Sequence, residues 1–342
     1  MKPEGMLPLR TSLATSGFSA LDVPLSLLHD NLKVSQQVAR MKQGMHILML
    51  LMVLSFLVSC ETTRGPMPPQ GGELPRPRVG LVLGGGAARG FAHIGVIRAL
   101  EQEKVPVDLI VGTSVGSLIG AIYAADANSF ELEWTAFKLE KDNVFDYGIF
   151  SALTGLGIAR GDKLEEFVRS KVPVQNIEDL RIPFAAVAVD LNRGTRVVLD
   201  KGPVARAVRA SSAIPGVFQP VEHQGRLLVD GGVLDNIPAA VARERGADIV
   251  IAVDIGENVV NFNISSIIDV MLQAVTIMSA ENAQYRKKDA DVLIAPKIGD
   301  VGMLDFTQKK RCMQAGIDAA RQAMPEIKQK IEEWGRKKGI QK

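Results

Sequence analysis

From Val79 onward, short apolar and β-branched runs alternate with longer amphipathic segments, and that alternation restricts the fold more than any other feature. The runs at 79–83, 108–112, 183–190, 195–199, 226–229, 248–253 and 291–296 predict strands. Segments 90–104, 114–125, 161–171, 203–210, 237–245, 265–286 and 307–322 predict helices. Strands separated by helices join in the parallel sense, so the expected class is α/β: a largely parallel central sheet with helices on both faces. No internal repeat or low-complexity tract interrupts it.

Two glycine-bearing turns punctuate the pattern. The first, GGGAARG (84–90), follows a predicted strand and opens a predicted helix. A dinucleotide fingerprint needs glycine at i, i+2 and i+5; from Gly84 the last position is Arg89, and from Gly85 the second is Ala87, so neither register fits. A phosphate-binding Walker loop is absent as well, because no Gly-Lys-Ser/Thr follows. The second turn, GTSVG (112–116), sits between strand and helix, the setting of a nucleophile elbow in which Gly112 and Gly116 let the chain turn sharply around Ser114. Ser114 reads equally as a helix N-cap.

A shortage of histidine selects the chemistry open to Ser114. The chain has four, at 29, 46, 93 and 223, and none follows an acid in the order an α/β-hydrolase triad requires. A serine without histidine must pass its proton to another base, and a carboxylate within hydrogen-bond reach serves. Asp230 is the best candidate: it ends the apolar run RLLV and precedes Gly231 and Gly232, at a strand end where open α/β sheets place their sites. An ordinary Asp-Gly turn is the other reading of the same dipeptide. His93 reads as a packed helix residue and His223 as a hairpin residue, while Arg89 either tunes the glycine loop or simply starts a helix. Ile214, Val217 and Phe218 line an acyl groove or fill the core.

The blocks GGGAARG, GTSVG, SSAIPGVFQPV (211–221) and DGG (230–232), in that order and spacing, resemble bacterial patatin-like phospholipases, close to the neuropathy-target-esterase branch. The resemblance covers about 79–240. It implies a three-layer α/β/α fold, a Ser-Asp dyad of Ser114 and Asp230, and an oxyanion hole on the glycine loop, with Gly85 and Gly86 donating backbone N–H groups and Ala87 and Arg89 alongside. It also implies a serine acyl hydrolase of phospholipase A or lysophospholipase type that works through an acyl-enzyme, with a phospholipid or lysophospholipid as substrate. The loop departs from the family pattern Gly-Gly-Gly-x-Arg/Lys-Gly by placing Ala87 at the third glycine, which keeps the donor but alters its backbone. A lipid-tethered binding or scaffolding protein with a vestigial site is the alternative.

The N-terminal part reads as targeting. HILMLLMVLSFLVS (46–59) is an uninterrupted apolar run after Arg40 and Lys42; as a helix it extends about 21 Å, short of the roughly 30 Å of a hydrocarbon core, and it fits a signal sequence. Its ending, LVSC, resembles the lipobox of bacterial lipoproteins, which implies lipidation at Cys60 and an exported, membrane-anchored protein facing the periplasm. The expected organisation is an upstream extension over 1–40, a signal peptide over 41–59, a Pro/Gly-rich tether over 60–78, and a single hydrolase domain over 79–342, with the motifs in 79–240. The basic tail from Ile327 is expected to be a solvated helix.

Composition narrows the partners. A net charge of +2 with evenly spread basic residues gives no nucleic-acid surface. Two cysteines, no CxxC and no Cys/His cluster give neither a disulfide framework nor a metal site, and no calcium loop or cofactor motif is present. No cofactor and no metal are expected.

Overall fold

The computed structural model describes residues 75–140, 159–256, 264, 267–302 and 305–339. The signal-like run, Cys60 and the greater part of the tether lie outside these residues.

Eight strands form one sheet. They are β1 (Val79–Leu83), β2 (Leu109–Thr113), β3 (Phe184–Asp190), β4 (Thr195–Leu199), β5 (Val221–His223), β6 (Arg226–Asp230), β7 (Ile249–Val253) and β8 (Val292–Ile294). The order β3-β2-β1-β7-β8 is parallel throughout, and β4, β6 and β5 extend it in antiparallel pairings around β3. The chain winds outward from β1 to β2 and β3, then returns to β7 on the other flank of β1. The carboxyl ends of β1 and β7 therefore form a topological switch point, where such sheets open a crevice.

The side-chain period of two sorts β1 between layers. Val79, Leu81 and Leu83 enter the larger core with helices α1 (Phe91–Gln102), α2 (Val115–Asp126), α3 (Ser129–Phe137), α4 (Asp162–Lys171), α5 (Val204–Ser211) and α8 (Lys309–Lys337). Val82 points the other way, into a thinner layer with α6 (Ala239–Glu244) and Ala283 of α7 (Ile267–Arg286). The expected α/β/α layering is thus present, with unequal faces.

Three elements differ from expectation. Helix α3 was not anticipated, although Asn128 and Glu131 have the spacing of a capping box; Asn128 Oδ1 accepts from the N–H groups of Phe130 and Glu131 at 3.0 and 3.2 Å. The short strand β5 was also missed. Helix α8 continues past 322, where sequence reading ended it, and runs through Pro325 into the tail expected as a solvated helix. Met324 and Ile327 are buried on either side of the proline, and Ile331 and Trp334 pack beyond them, so the tail is anchored to the core rather than fully solvated. Further up, α8 crosses α1 backbone against backbone: a Cβ on Gly95 would strike the Met313 carbonyl, and one on Gly316 the Ala92 carbonyl.

Candidate active site

Register along β3 assembles the site. Strand β4 pairs with 186–190 of β3, β2 with 184–187 and β6 with 188–190. A strand has two edges, so β2 and β6 must share the edge opposite β4. Thr113 stands opposite Val187, and Asp230 opposite Ala188. The two strands therefore run head to head, and Ser114, one residue beyond β2, arrives at the last residue of β6.

Ser114 occupies the sharp bend. Its φ is +54°, in the left-handed region that non-glycine residues seldom adopt. Space for the bend comes from two glycines: a Cβ on Gly112 would lie 2.5 Å from the Gly116 carbonyl oxygen, and one on Gly116 would run into the Leu83 carbonyl. The serine precedes α2 but its side chain makes no capping bond, so the N-cap reading is not the one realised. Its hydroxyl lies instead beside Asp230, whose carboxyl pKa it pulls down. The Ser114 N–H donates to Ser211 Oγ at 3.0 Å, and that hydroxyl donates to the Val187 carbonyl at 2.6 Å. Ser211 thereby ties the bend to β3. Thr113 Oγ1 donates to the Asp235 carbonyl at 2.9 Å on the other side.

Asp230 is a turn residue at the end of β6, beside Ser114. Its Oδ1 accepts from the Gly232 N–H at 2.7 Å, and its own N–H donates to the Ala213 carbonyl at 2.9 Å. Burial raises its carboxyl pKa to about 6 against the opposing pull of the Ser114 hydroxyl and the Gly232 N–H, because a buried carboxylate loses its hydration. Among the described residues, no cation pairs with it. The acid in the same segment that does pair with one is Asp235, which takes Arg196 at 2.9 Å and is fully buried.

The glycine loop lies directly against the serine. A Cβ on Gly85 would stand 3.2 Å from Ser114 Cβ and 2.5 Å from Asn236 Oδ1, which explains the absence of a side chain there. Gly85 N–H donates to Asn236 Oδ1 at 3.1 Å, and Asn236 Nδ2 donates back to the Gly85 carbonyl at 3.3 Å. Gly85 was expected to donate toward a substrate; in this structure its N–H is committed to Asn236. The N–H groups of Gly86 and Ala87 meet no acceptor among the described residues. Ala87 adopts φ +48°, the conformation for which glycine is favoured, at the very position where the family pattern has glycine. Arg89 is buried in the short 3-10 turn that starts at Ala87 and lines the same space.

His93 explains the loop's rigidity rather than its chemistry. It is fully buried, and its Nε2 lies 2.7 Å from the Gly84 carbonyl oxygen. A carbonyl only accepts, so the proton sits on Nε2. Burial lowers the imidazole pKa to about 4, which keeps the ring neutral. His223 pairs with Arg226 across the β5–β6 hairpin, as expected.

Ser114 opens onto two cavities. The larger, about 460 Å³, is bounded by Gly86, Ala87, Asp230 and Asn236 on one side and by α7 and the loop after β8 on the other. A smaller one of about 60 Å³ is apolar and lined by Leu118, Leu164, Ile214, Phe218 and Phe306 among others. Ile214 borders both, while Val217 borders neither and belongs to the core. Sequence reasoning missed Asn236 and Ser211. The first sits six residues after Asp230 and the second lies inside the SSAIPGVFQPV block, but a single sequence does not mark either as a partner.

Comparison with known proteins follows the same residues. The family model described as patatin-like phospholipase matches residues 81–243. Lysophospholipase NTE1 of Scheffersomyces stipitis is 32% identical over 277 residues, covering 71% of this chain and 18% of that protein. An uncharacterized NTE-family protein of Mycobacterium bovis is 42% identical over 181 residues, 52% of this chain and 49% of its own. The chain thus spans half or less of the length of these relatives. VipD from Legionella pneumophila superposes with a TM-score of 0.45 and 16% identity, over 75% of this chain and 67% of that one. The matched stretch takes in the glycine loop, Ser114 and Asp230, so residues 81–243 of this chain are similar to the patatin-like phospholipase family, and NTE-family proteins are among the relatives it resembles.

Proposed function

We propose that this protein is a serine acyl hydrolase, of phospholipase A or lysophospholipase type, in which Ser114 attacks the carbonyl of a fatty-acyl ester and Asp230 accepts its proton. The observation that carries the reading is Ser114 at a sharp strand-to-helix bend, brought by the register along β3 to the buried Asp230 carboxyl and beside a loop with two N–H groups that have no acceptor among the described residues. Attack forms the Ser114 Oγ–carbon bond and places negative charge on the former carbonyl oxygen. Gly86 and Ala87 N–H groups, together with the positive end of α2, stabilise that charge; one such donor contributes roughly 2.7 to 4 kcal/mol. Collapse expels the lipid alkoxide, which takes the proton held on Asp230. Water then gives its proton to Asp230 and attacks the acyl-enzyme, releasing the fatty acid and restoring Ser114. A carboxyl pKa near 6 suits a group that must accept and return a proton near neutral pH.

The apolar cavity beside Ser114 suits the start of an acyl chain, and the larger one suits the polar remainder of the lipid. NTE1 of S. stipitis is named a lysophospholipase, which agrees with that division. Lipidation at Cys60, as LVSC suggests, would hold the domain at the outer face of a bacterial inner membrane or in the outer membrane, facing the periplasm. Fatty-acid release from lysophosphatidylcholine is the test: Ser114→Ala is expected to abolish it in a protein of wild-type thermal stability, and retained release would refute the assignment. For the anchor, Cys60→Ala is expected to leave the detergent phase in which the wild type partitions, and unchanged partitioning would refute it.

A further inference from the structure

Helix α7 has three different sides. One holds the turn after Asp230: Ser279 Oγ donates to the Gly232 carbonyl at 2.6 Å, and Asn282 Nδ2 to the Val233 carbonyl at 3.1 Å. A second, including Val275, Ala280 and Gln284, walls the larger cavity. The third is exposed and apolar. Val270, Met271, Ala274, Ile277, Met278 and Tyr285 recur at helical spacing along it, interrupted by Glu281; Ile277 is 48% and Tyr285 62% exposed. A surface helix in a folded protein ordinarily turns such a stripe inward, so this one calls for a partner.

We infer that this face of α7 docks the domain on an anionic lipid surface, with the cavity mouth turned toward the bilayer. Two observations select lipid as the occupant. The stripe runs out at exposed Lys288, whose charge complements anionic headgroups and whose Nζ lies 5.4 Å from the Tyr285 ring at the place where an interfacial aromatic sits, while Arg286 and Lys287 beside it face Asp235 and Asp254 at 3.9 and 4.0 Å. The stripe is continuous with the site: Met271 lies against Gly216, whose loop supplies Ile214 and Phe218 to the apolar cavity. A lipid leaving the bilayer along this face would reach Ser114 without its chains crossing water. The substrate in this inference rests on the hydrolase reading above, but the docking itself does not.

The test uses the full chain carrying Cys60→Ala, which removes the proposed anchor and leaves buried Cys312. An environment-sensitive fluorophore is attached through Met278→Cys or, as a control on exposed α8, through Gln314→Cys. Vesicles of phosphatidylcholine with phosphatidylglycerol are expected to shift the emission to the blue at 278 and not at 314. Replacing Ile277 and Met278 by glutamate in the same background should lower vesicle partitioning and hydrolysis of vesicle lipid at least about tenfold, with turnover of a soluble short-chain ester unchanged. No shift at 278, equal shifts at both sites, or a shift that appears without vesicles as protein concentration rises would overturn the inference, the last assigning the face to a second copy of the chain. A vesicle-dependent shift at 278 without hydrolysis of any ester would sustain docking and refute the hydrolase reading instead.

Discussion

Asp230 faces Ser114 because the strands that end at them meet head to head along one edge of β3, with Thr113 opposite Val187 and Asp230 opposite Ala188. The pair is 116 residues apart in sequence, and adjacent register positions bring it together. A shift of one residue in either pairing would turn the side chains to opposite faces of the sheet.

The carboxyl of Asp230 sets the pH dependence of the proposed reaction. With its pKa raised to about 6, the base is mostly protonated below that pH and ionised above it. The expected kcat/KM for a soluble ester rises through about pH 6 and then levels. A rate unchanged across that interval would exclude Asp230 as the base.

Stability should respond to the same group in the opposite sense. A carboxyl whose pKa is raised from 3.8 to about 6 on folding binds its proton more tightly in the native state. Its stabilisation is present below the unfolded value and is lost as pH rises through about 6, a swing of about 3 kcal/mol. His93 acts against it: a pKa lowered from 6.5 to about 4 gives stability that is present above 6.5 and lost as pH falls through about 4, again about 3 kcal/mol. Asp230→Asn is therefore expected to be more stable than the wild type at neutral pH, with the gap closing toward about pH 4. Urea denaturation of both proteins across this range checks the sign, and a less stable Asn variant at pH 7 contradicts it.

Ala87 holds a backbone conformation that glycine adopts without strain. Ala87→Gly should raise stability by up to about 1 kcal/mol, the relief exceeding the added freedom of the unfolded chain, and retain ester hydrolysis. Thermal unfolding reads this directly; a lower midpoint would mean the loop is not strained at that residue.

Asn236 clasps Gly85 from both sides. Asn236→Ala leaves the buried Gly85 N–H and carbonyl unpaired, an expected cost of about 1 to 3 kcal/mol, and frees the loop that carries the Gly86 and Ala87 donors. The loss is expected in kcat more than in KM, since a displaced oxyanion donor acts chiefly in the transition state. A change confined to KM would instead place Asn236 in substrate binding.

Much of this architecture was legible in the chain because its signals are local. The runs that became β1, β2 and β7 are continuous and apolar because a central parallel strand is buried on both faces, and the glycines at 112 and 116 announce a tight turn wherever they occur. What escaped depends on distant partners. Whether Ser114 caps a helix or meets a carboxylate is decided by the pairing of β6 with β3, and Asn236 acquires its role only when its segment folds back onto Gly85. Gly85 illustrates the same limit: the loop's glycines mark close approach, but they do not say that one N–H is held by a side chain 151 residues away. Nor does the sequence show that the 307–322 helix and the tail form one helix through Pro325, where burial of Met324 and Ile327 outweighs the hydrogen bond that proline removes.

Covalent labelling by a fluorophosphonate, mapped by peptide mass, tests the pairing of Ser114 with Asp230 most directly, because the probe reacts only with an activated hydroxyl. The account predicts a single adduct on Ser114 in the wild type and labelling of Asp230→Asn slower by about a hundredfold or more. An adduct on Ser211 or Ser212, or an Asn variant labelled at the wild-type rate, would contradict it.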